Sequence, residues 1–228
     1  VTSRRLGQSL GINLLPTNCK LCNFNCVYCE CGWNNPDVTK QSLPSKEKVL
    51  SRLEQTLASA DKNQMAIDNI TFAGNGEPTI HPDFSEIIEG VLNLRDTYFP
   101  KAKISVLSNA TLIQKKQVFD ALKKVDNNIL KLDSAFDATV QLLNNPPSGF
   151  TVKKLIENLS TFNNLTIQTL FIRGIVQGQK VDNTTEAELK AWLQTIESLQ
   201  PVMVMIYTIK RDTPLDTLEA IDETTLNN

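Results

Sequence analysis

Short apolar runs alternate along this chain with stretches whose apolar residues recur every three or four positions. Residues 9–15, Ser-Leu-Gly-Ile-Asn-Leu-Leu, form an apolar run that Pro16 ends, which predicts a buried strand handing the chain to the loop beyond. Behind Ser45, the residues Val49, Leu50, Leu53, Leu57 and Ala60 share one face of a helix. Residues 68–74 predict a strand, and Phe84, Ile87, Ile88, Val91 and Leu92 an amphipathic helix. The rhythm continues with a strand at 103–107, a helix at 114–124 and a strand at 128–133. Asn145-Pro-Pro-Ser-Gly149 then breaks the chain. Beyond it the pattern predicts a helix at 152–162, a strand at 166–172, a helix at 185–199 and a last strand at 202–207. A short helix at 215–221 follows Pro214.

Six strands alternating with helices specify an α/β fold with parallel strands, because parallel neighbours need long connections and helices supply them in a right-handed sense. Periodicity leaves two architectures open, a doubly wound sheet and a curved partial barrel. In both, the loops at the carboxyl ends of the strands carry the site. With 228 residues and 41% hydrophobic content the chain can bury a full core, and one domain over 1–228 is expected, with a short extension from about residue 212. A net charge of −2 gives no whole-chain basic footprint for nucleic acid. No apolar run approaches the roughly 20 residues that span a bilayer, and the first residues lack an apolar signal core. A cytoplasmic, non-membrane protein is the expectation.

All five cysteines fall between positions 19 and 31. Cys22-x3-Cys26-x2-Cys29 puts three thiols on one loop, and a four-iron four-sulfur (4Fe-4S) cubane held by three cysteines keeps one iron open for chemistry. The alternative is a zinc-stapled interaction module without catalysis, using Cys19 as fourth ligand. Against it, zinc ribbons usually separate their cysteine pairs by roughly 15–20 residues, and here three residues intervene. A disulfide framework suits short secreted chains with an even cysteine count.

Cys22-x3-Cys26-x2-Cys29, with aromatic Tyr28 before the last cysteine, resembles the signature of the radical S-adenosylmethionine (SAM) superfamily. The resemblance implies a partial (βα)6 TIM-like barrel with the cluster on the loop after the first strand. It implies that the open iron chelates the amino and carboxylate groups of SAM and that one electron breaks the C5'–S bond. The resulting 5'-deoxyadenosyl radical abstracts hydrogen from a substrate, here unidentified; a small molecule, a peptide or RNA all remain open. An external flavodoxin- or ferredoxin-like electron donor is implied too. The combination of Ser3-Arg-Arg-Leu-Gly, Ser9-Leu-Gly-Ile-Asn, Gly74-Asn-Gly-Glu-Pro-Thr and Tyr207-Thr-Ile-Lys-Arg-Asp-Thr-Pro is similar to a subgroup of wyosine-synthase-related Fe-S oxidoreductases. The synthase family carries three further upstream cysteines for a second cluster. This chain lacks them, which points to a single-cluster core.

The remaining candidates stand at strand ends. Gly74, Gly76, Glu77 and Pro78 resemble the family's Gly-Gly-Glu motif, which contacts the methionine amino group of SAM. A plain turn uses the same residue types. Ser108 and Asn109 match polar positions that bond the ribose, or serve a helix-start turn. Lys131 and Asp133 share a parity, so both point to one side of their strand; opposite charges there are costly unless paired or used. They are candidate substrate contacts or a structural pair. Arg173 offers a planar fork to the SAM carboxylate or a substrate anion, and Tyr207 an aromatic face near adenine or in the core. His81, the only histidine, sits in a turn and is not expected to be a catalytic base.

Overall fold

Ser45 starts the first helix as its hydroxyl predicts, accepting a hydrogen bond from the Lys48 amide at the head of α1 (Lys46–Lys62). The computed structural model describes residues 2–3, 7–35 and 43–227, so Arg4, Arg5 and Leu6 of the N-terminal motif lie outside the described residues. The chain packs as two units, and the first comprises Val1–Leu21, Pro36–Ser108 and Leu112–Asn128.

In that unit β1 (Thr2–Ser3), β2 (Gly7–Ile12), β3 (Asn69–Phe72) and β4 (Lys103–Ser108) lie side by side in that order. β2 pairs with β3, and β3 with β4, in parallel. All four residues of β3 are buried, as a parallel strand covered on both faces requires. Its polar members are satisfied: Thr71 bonds Ser9 at 2.7 Å and Asn69 at 3.0 Å. Helices α1, α2 (Phe84–Tyr98) and α3 (Lys116–Lys124) supply the crossovers, with Phe84 of α2 edge-on to Phe72. β5 (Asn127–Lys131) leads into the second unit.

The second unit comprises Cys22–Asn35, Asn109–Thr111 and Ile129–Asn228. It contains α4 (Asp137–Asn144), α5 (Val152–Leu159), β6 (Leu165–Leu170), β7 (Ile172–Val176), β8 (Gln179–Asp182), α6 (Glu186–Leu199), β9 (Met203–Tyr207), β10 (Leu218–Ala220) and α7 (Glu223–Asn227). β6 and β9 pair in parallel. β10, β7 and β8 form a separate antiparallel sheet.

That small sheet departs from the pattern reading three times. The strand expected over 166–172 ends at Leu170, and a new strand begins at Ile172. β7 and β8 form a hairpin closed by Gln177 and Gly178, both at positive φ, the backbone of a primed two-residue turn. The helix expected over 215–221 is instead β10, because pairing with β7 overrides local periodicity. α4 was not anticipated at all.

Asn183 stitches the break between β6 and β7. Its amide donates to the carbonyls of Asp133 at 2.9 Å and Leu170 at 2.8 Å, and its Oδ1 accepts from the Ile172 amide at 2.8 Å. The side chain is buried. Asn183→Ala strips the partner from three buried backbone groups, and urea denaturation should show a loss of about 2–3 kcal/mol.

Candidate functional site

The first unit assembles the residues after β3 around the chain that precedes the cysteine loop. Leu21 donates its amide to Asn75 O at 2.8 Å and accepts from the Glu77 amide at 3.0 Å. Asn75, set between the two glycines, donates its side-chain amide to the carbonyls of Pro16 and Thr17, so it ties down the approach to the cysteines. Gly76 is at φ +140, and a Cβ there would lie 1.8 Å from Leu21 O. No other residue fits so close an approach.

Glu77 is buried, and Oε1 gathers three donors: the Thr79 amide at 3.1 Å, the Thr79 hydroxyl and the Ser108 hydroxyl at 2.8 Å. It thereby caps the 3-10 turn Pro78–Ile80 and brings Ser108 of β4 to the same carboxylate. His81 accepts the Asp83 amide at Nδ1 and so carries its proton on Nε2, which donates to Pro44 O at 2.9 Å. Both ring nitrogens are committed to backbone, in keeping with a structural role.

The second unit builds the cysteine loop itself. Its backbone is laid against the end of α4, with the Asn25 amide on Asn144 O and the Val27 amide on Leu143 O, each at 2.9 Å. Asn34 clamps the start: its amide donates to the carbonyls of Cys22 and Phe24, both at 2.9 Å, and its Oδ1 accepts from the Cys22 amide. Phe24, Cys26, Val27 and Tyr28 enter an apolar cluster with Leu143, Leu170 and Ile172.

The sulfurs of Cys22 and Cys26 receive N–H donors. Cys22 Sγ accepts from the Phe24 amide at 3.4 Å and from Asn109 at 3.5 Å; Cys26 Sγ accepts from Asn144 at 3.5 Å. Burial pushes the Cys26 thiol up, opposed by the Lys131 charge and the Asn144 hydrogen bond. No disulfide joins the five cysteines. Among the described residues no three cysteine, histidine or acidic side chains converge as a ready-made cation site. The donor chemistry nonetheless suits an iron-sulfur group: three thiols on one backbone-locked loop, with amide N–H groups aimed at two of the sulfurs.

Lys131, Asp133, Tyr28 and Tyr207 come together beside Cys26. Lys131 Nζ lies 3.2 Å from Asp133 Oδ1 and donates to the Tyr207 hydroxyl at 3.0 Å. Its ammonium also faces the rings of Tyr28 and Tyr207. Tyr28 donates to Asp133 Oδ2, and Asn144 bonds both at 2.6 and 2.8 Å. Burial works hardest to discharge Lys131, but the Asp133 carboxylate, together with Tyr207 and Cys26, outweighs it and holds the amine above its ordinary value. Desolvation raises both tyrosines, so both are neutral phenols.

Arg173 takes no part in this network. It lies on β7 of the antiparallel sheet, opposite Asp182 and Glu219 on its two neighbours. Asn34 and Asn144 escaped the sequence reading. One signal for Asn144 was available, since it stands at the Asn-Asn-Pro-Pro break where a helix ends against a loop.

Residues 19–187 match the family model described as the Radical SAM superfamily. A UPF0026 protein of Synechocystis is 30% identical over 94% of this chain, which spans 76% of that protein. A Brachyspira hyodysenteriae protein named GTPase Obg is 28% identical over 98% of this chain, but the chain spans 31% of its length. For two further curated relatives the share is 65% and 48%. The crystal structure of Streptococcus suis SuiB bound to S-adenosylmethionine superposes on 92% of this chain and 43% of its own, with TM-score 0.63 and 16% identity. At that identity the likeness speaks for fold: the α/β partial (βα)6 barrel with parallel strands. No helix among the described residues is long and apolar enough to cross a membrane.

Proposed function

Because the chain belongs to the radical SAM superfamily and is an enzyme of it, we propose that Cys22, Cys26 and Cys29 hold one 4Fe-4S cluster for reductive cleavage of SAM. When bound, the cluster supplies the electron that splits SAM into methionine and the 5'-deoxyadenosyl radical, which takes hydrogen from the substrate. The observation that carries this reading is the loop itself, three thiols locked in place by Asn34 and the end of α4, with N–H donors on two sulfurs.

The other residues bind and orient. Glu77 draws Ser108 and the 3-10 turn to one carboxylate and offers its charge to the SAM ammonium. Gly74, Gly76 and Pro78 give the backbone its close approach around it. Ser108, held on Glu77, and Asn109, which reaches Cys22, would meet the ribose at the end of β4. Tyr207 holds the Lys131 ammonium, and its ring would line the adenine side of the SAM site. The electron comes from an external flavodoxin- or ferredoxin-like donor.

The test is anaerobic reconstitution followed by dithionite and SAM. Formation of 5'-deoxyadenosine and methionine is the expected result; reconstituted protein that holds zinc but no iron sinks the reading. Glu77→Gln keeps the iron and keeps an acceptor for Ser108, but removes the charge. SAM affinity measured by isothermal titration should fall roughly tenfold, about 1.4 kcal/mol. Unchanged affinity removes Glu77 from the SAM site.

A further inference from the structure

Asn144 is the residue on which two separate systems meet, the cysteine loop and the buried ion pair. Its side-chain amide has two hydrogens and three acceptors, Cys26 Sγ at 3.5 Å, the Tyr28 oxygen at 2.6 Å and Asp133 Oδ2 at 2.8 Å. The two oxygens lie together, since Tyr28 donates to Asp133. They share one hydrogen and leave the other for sulfur. The amide is thereby aimed: rotating it away from Cys26 breaks the bonds to Asp133 and Tyr28.

Asp133 is itself held from the other side. Its Oδ1 accepts the Leu170 amide at 2.9 Å and meets Lys131 Nζ at 3.2 Å. The ammonium is fixed in turn by the Tyr207 hydroxyl and two aromatic faces. The Lys131 side chain is 12% exposed and that of Asp133 fully buried. A buried pair is poor evidence for stability, because its desolvation cost rivals the attraction. This pair has a fixed place beside one thiol, and in a low-dielectric interior a fixed charge acts strongly on its neighbours.

We infer that Lys131, Asp133 and Asn144 form a positioning device that sets the reduction potential of the iron-sulfur group held at Cys26. Reduction adds negative charge to the group. An N–H donated to the ligating sulfur and a nearby ammonium stabilise that charge, and a nearby carboxylate opposes it. Three fixed groups thus set the potential from opposite sides, two raising it and one lowering it. The inference rests on the assignment of Cys26 as an iron ligand and goes beyond it, since ligation alone assigns no role to these three residues.

The experiment is a redox titration of the anaerobically reconstituted, SAM-free protein, followed by electron paramagnetic resonance of the reduced cluster. Iron and sulfide are measured first; a wild-type protein that takes up neither overturns the ligand assignment and the inference with it. With the cluster in place, Asn144→Leu loses the N–H to sulfur and Lys131→Met loses the positive charge, and each lowers the midpoint. Asp133→Asn removes the opposing charge and raises it. Shifts of opposite sign are the readout that a merely structural pair does not give, because loosened packing acts on all three variants alike. Midpoints equal to wild type, or all displaced in one direction, overturn the inference while the ligand assignment stands. If Asn144→Leu does not fold, the opposed shifts of Lys131→Met and Asp133→Asn decide.

Discussion

Cys26→Ala yields a folded protein that takes up no intact cluster and releases no 5'-deoxyadenosine above the enzyme-free blank. Cys26 is 7% exposed, inside the apolar cluster with Phe24, Val27, Tyr28 and Leu143. Removing one sulfur atom from such a site costs about 1 kcal/mol, well within what a domain tolerates. Circular dichroism and the urea midpoint should therefore stay close to wild type. The chemistry has no such margin, because two remaining cysteines cannot supply the three external ligands the cubane needs. Iron and sulfide analysis checks the first half of the result and product chromatography the second. Cys31→Ala is the control: Cys31 is exposed and outside the Cys22-x3-Cys26-x2-Cys29 spacing, so iron content should not change. Wild-type iron in Cys26→Ala would remove that residue from the ligand set.

Gly76→Ala should carry the largest stability loss of any single methyl group added around the site. A Cβ at φ +140 lies in backbone space that costs other residues roughly 1–3 kcal/mol. Here it would also stand 1.8 Å from Leu21 O. Relief requires moving Leu21, which breaks its two bonds to the Asn75 carbonyl and Glu77 amide, at about 1 kcal/mol each. Together these amount to about 3–5 kcal/mol, read from urea denaturation. Because Leu21 is bonded directly to Cys22, iron incorporation should fall as well. A loss under about 0.5 kcal/mol, the range of an ordinary surface change, would show that the close approach does not constrain the loop.

The helices were legible where a cap and a stripe coincide. Ser45, Thr151 and Thr185 each accept a backbone amide at the head of a helix that the apolar period had placed. The strands β3, β4, β6 and β9 were legible as apolar runs between breakers. What failed was local pattern facing a distant partner. Residues 215–221 have helical spacing, but the edge of β7 offers Leu218–Ala220 unpaired backbone groups, and pairing them outweighs propensity. Arg173 illustrates the consequence for the site: a strand that breaks at Phe171 carries the arginine into a different sheet.

By itself the sequence determined the alternation of strands and helices, the crowding of every thiol into one loop, and the strand-end positions of Glu77, Ser108 and Asn109. All of these are local, since spacing along a chain fixes which residues share a face or a loop. Only the tertiary structure decided that Asn75 fastens the loop at Pro16 and Thr17, and that Asn34 closes it. Only the tertiary structure brought Asn144 between Cys26 and Asp133 and made Lys131 a paired, enclosed charge. The physical reason is that a buried polar group takes whichever partner the packed backbone leaves within reach, and spacing along the chain does not announce which partner that is for Asn34, Asn75 or Asn144.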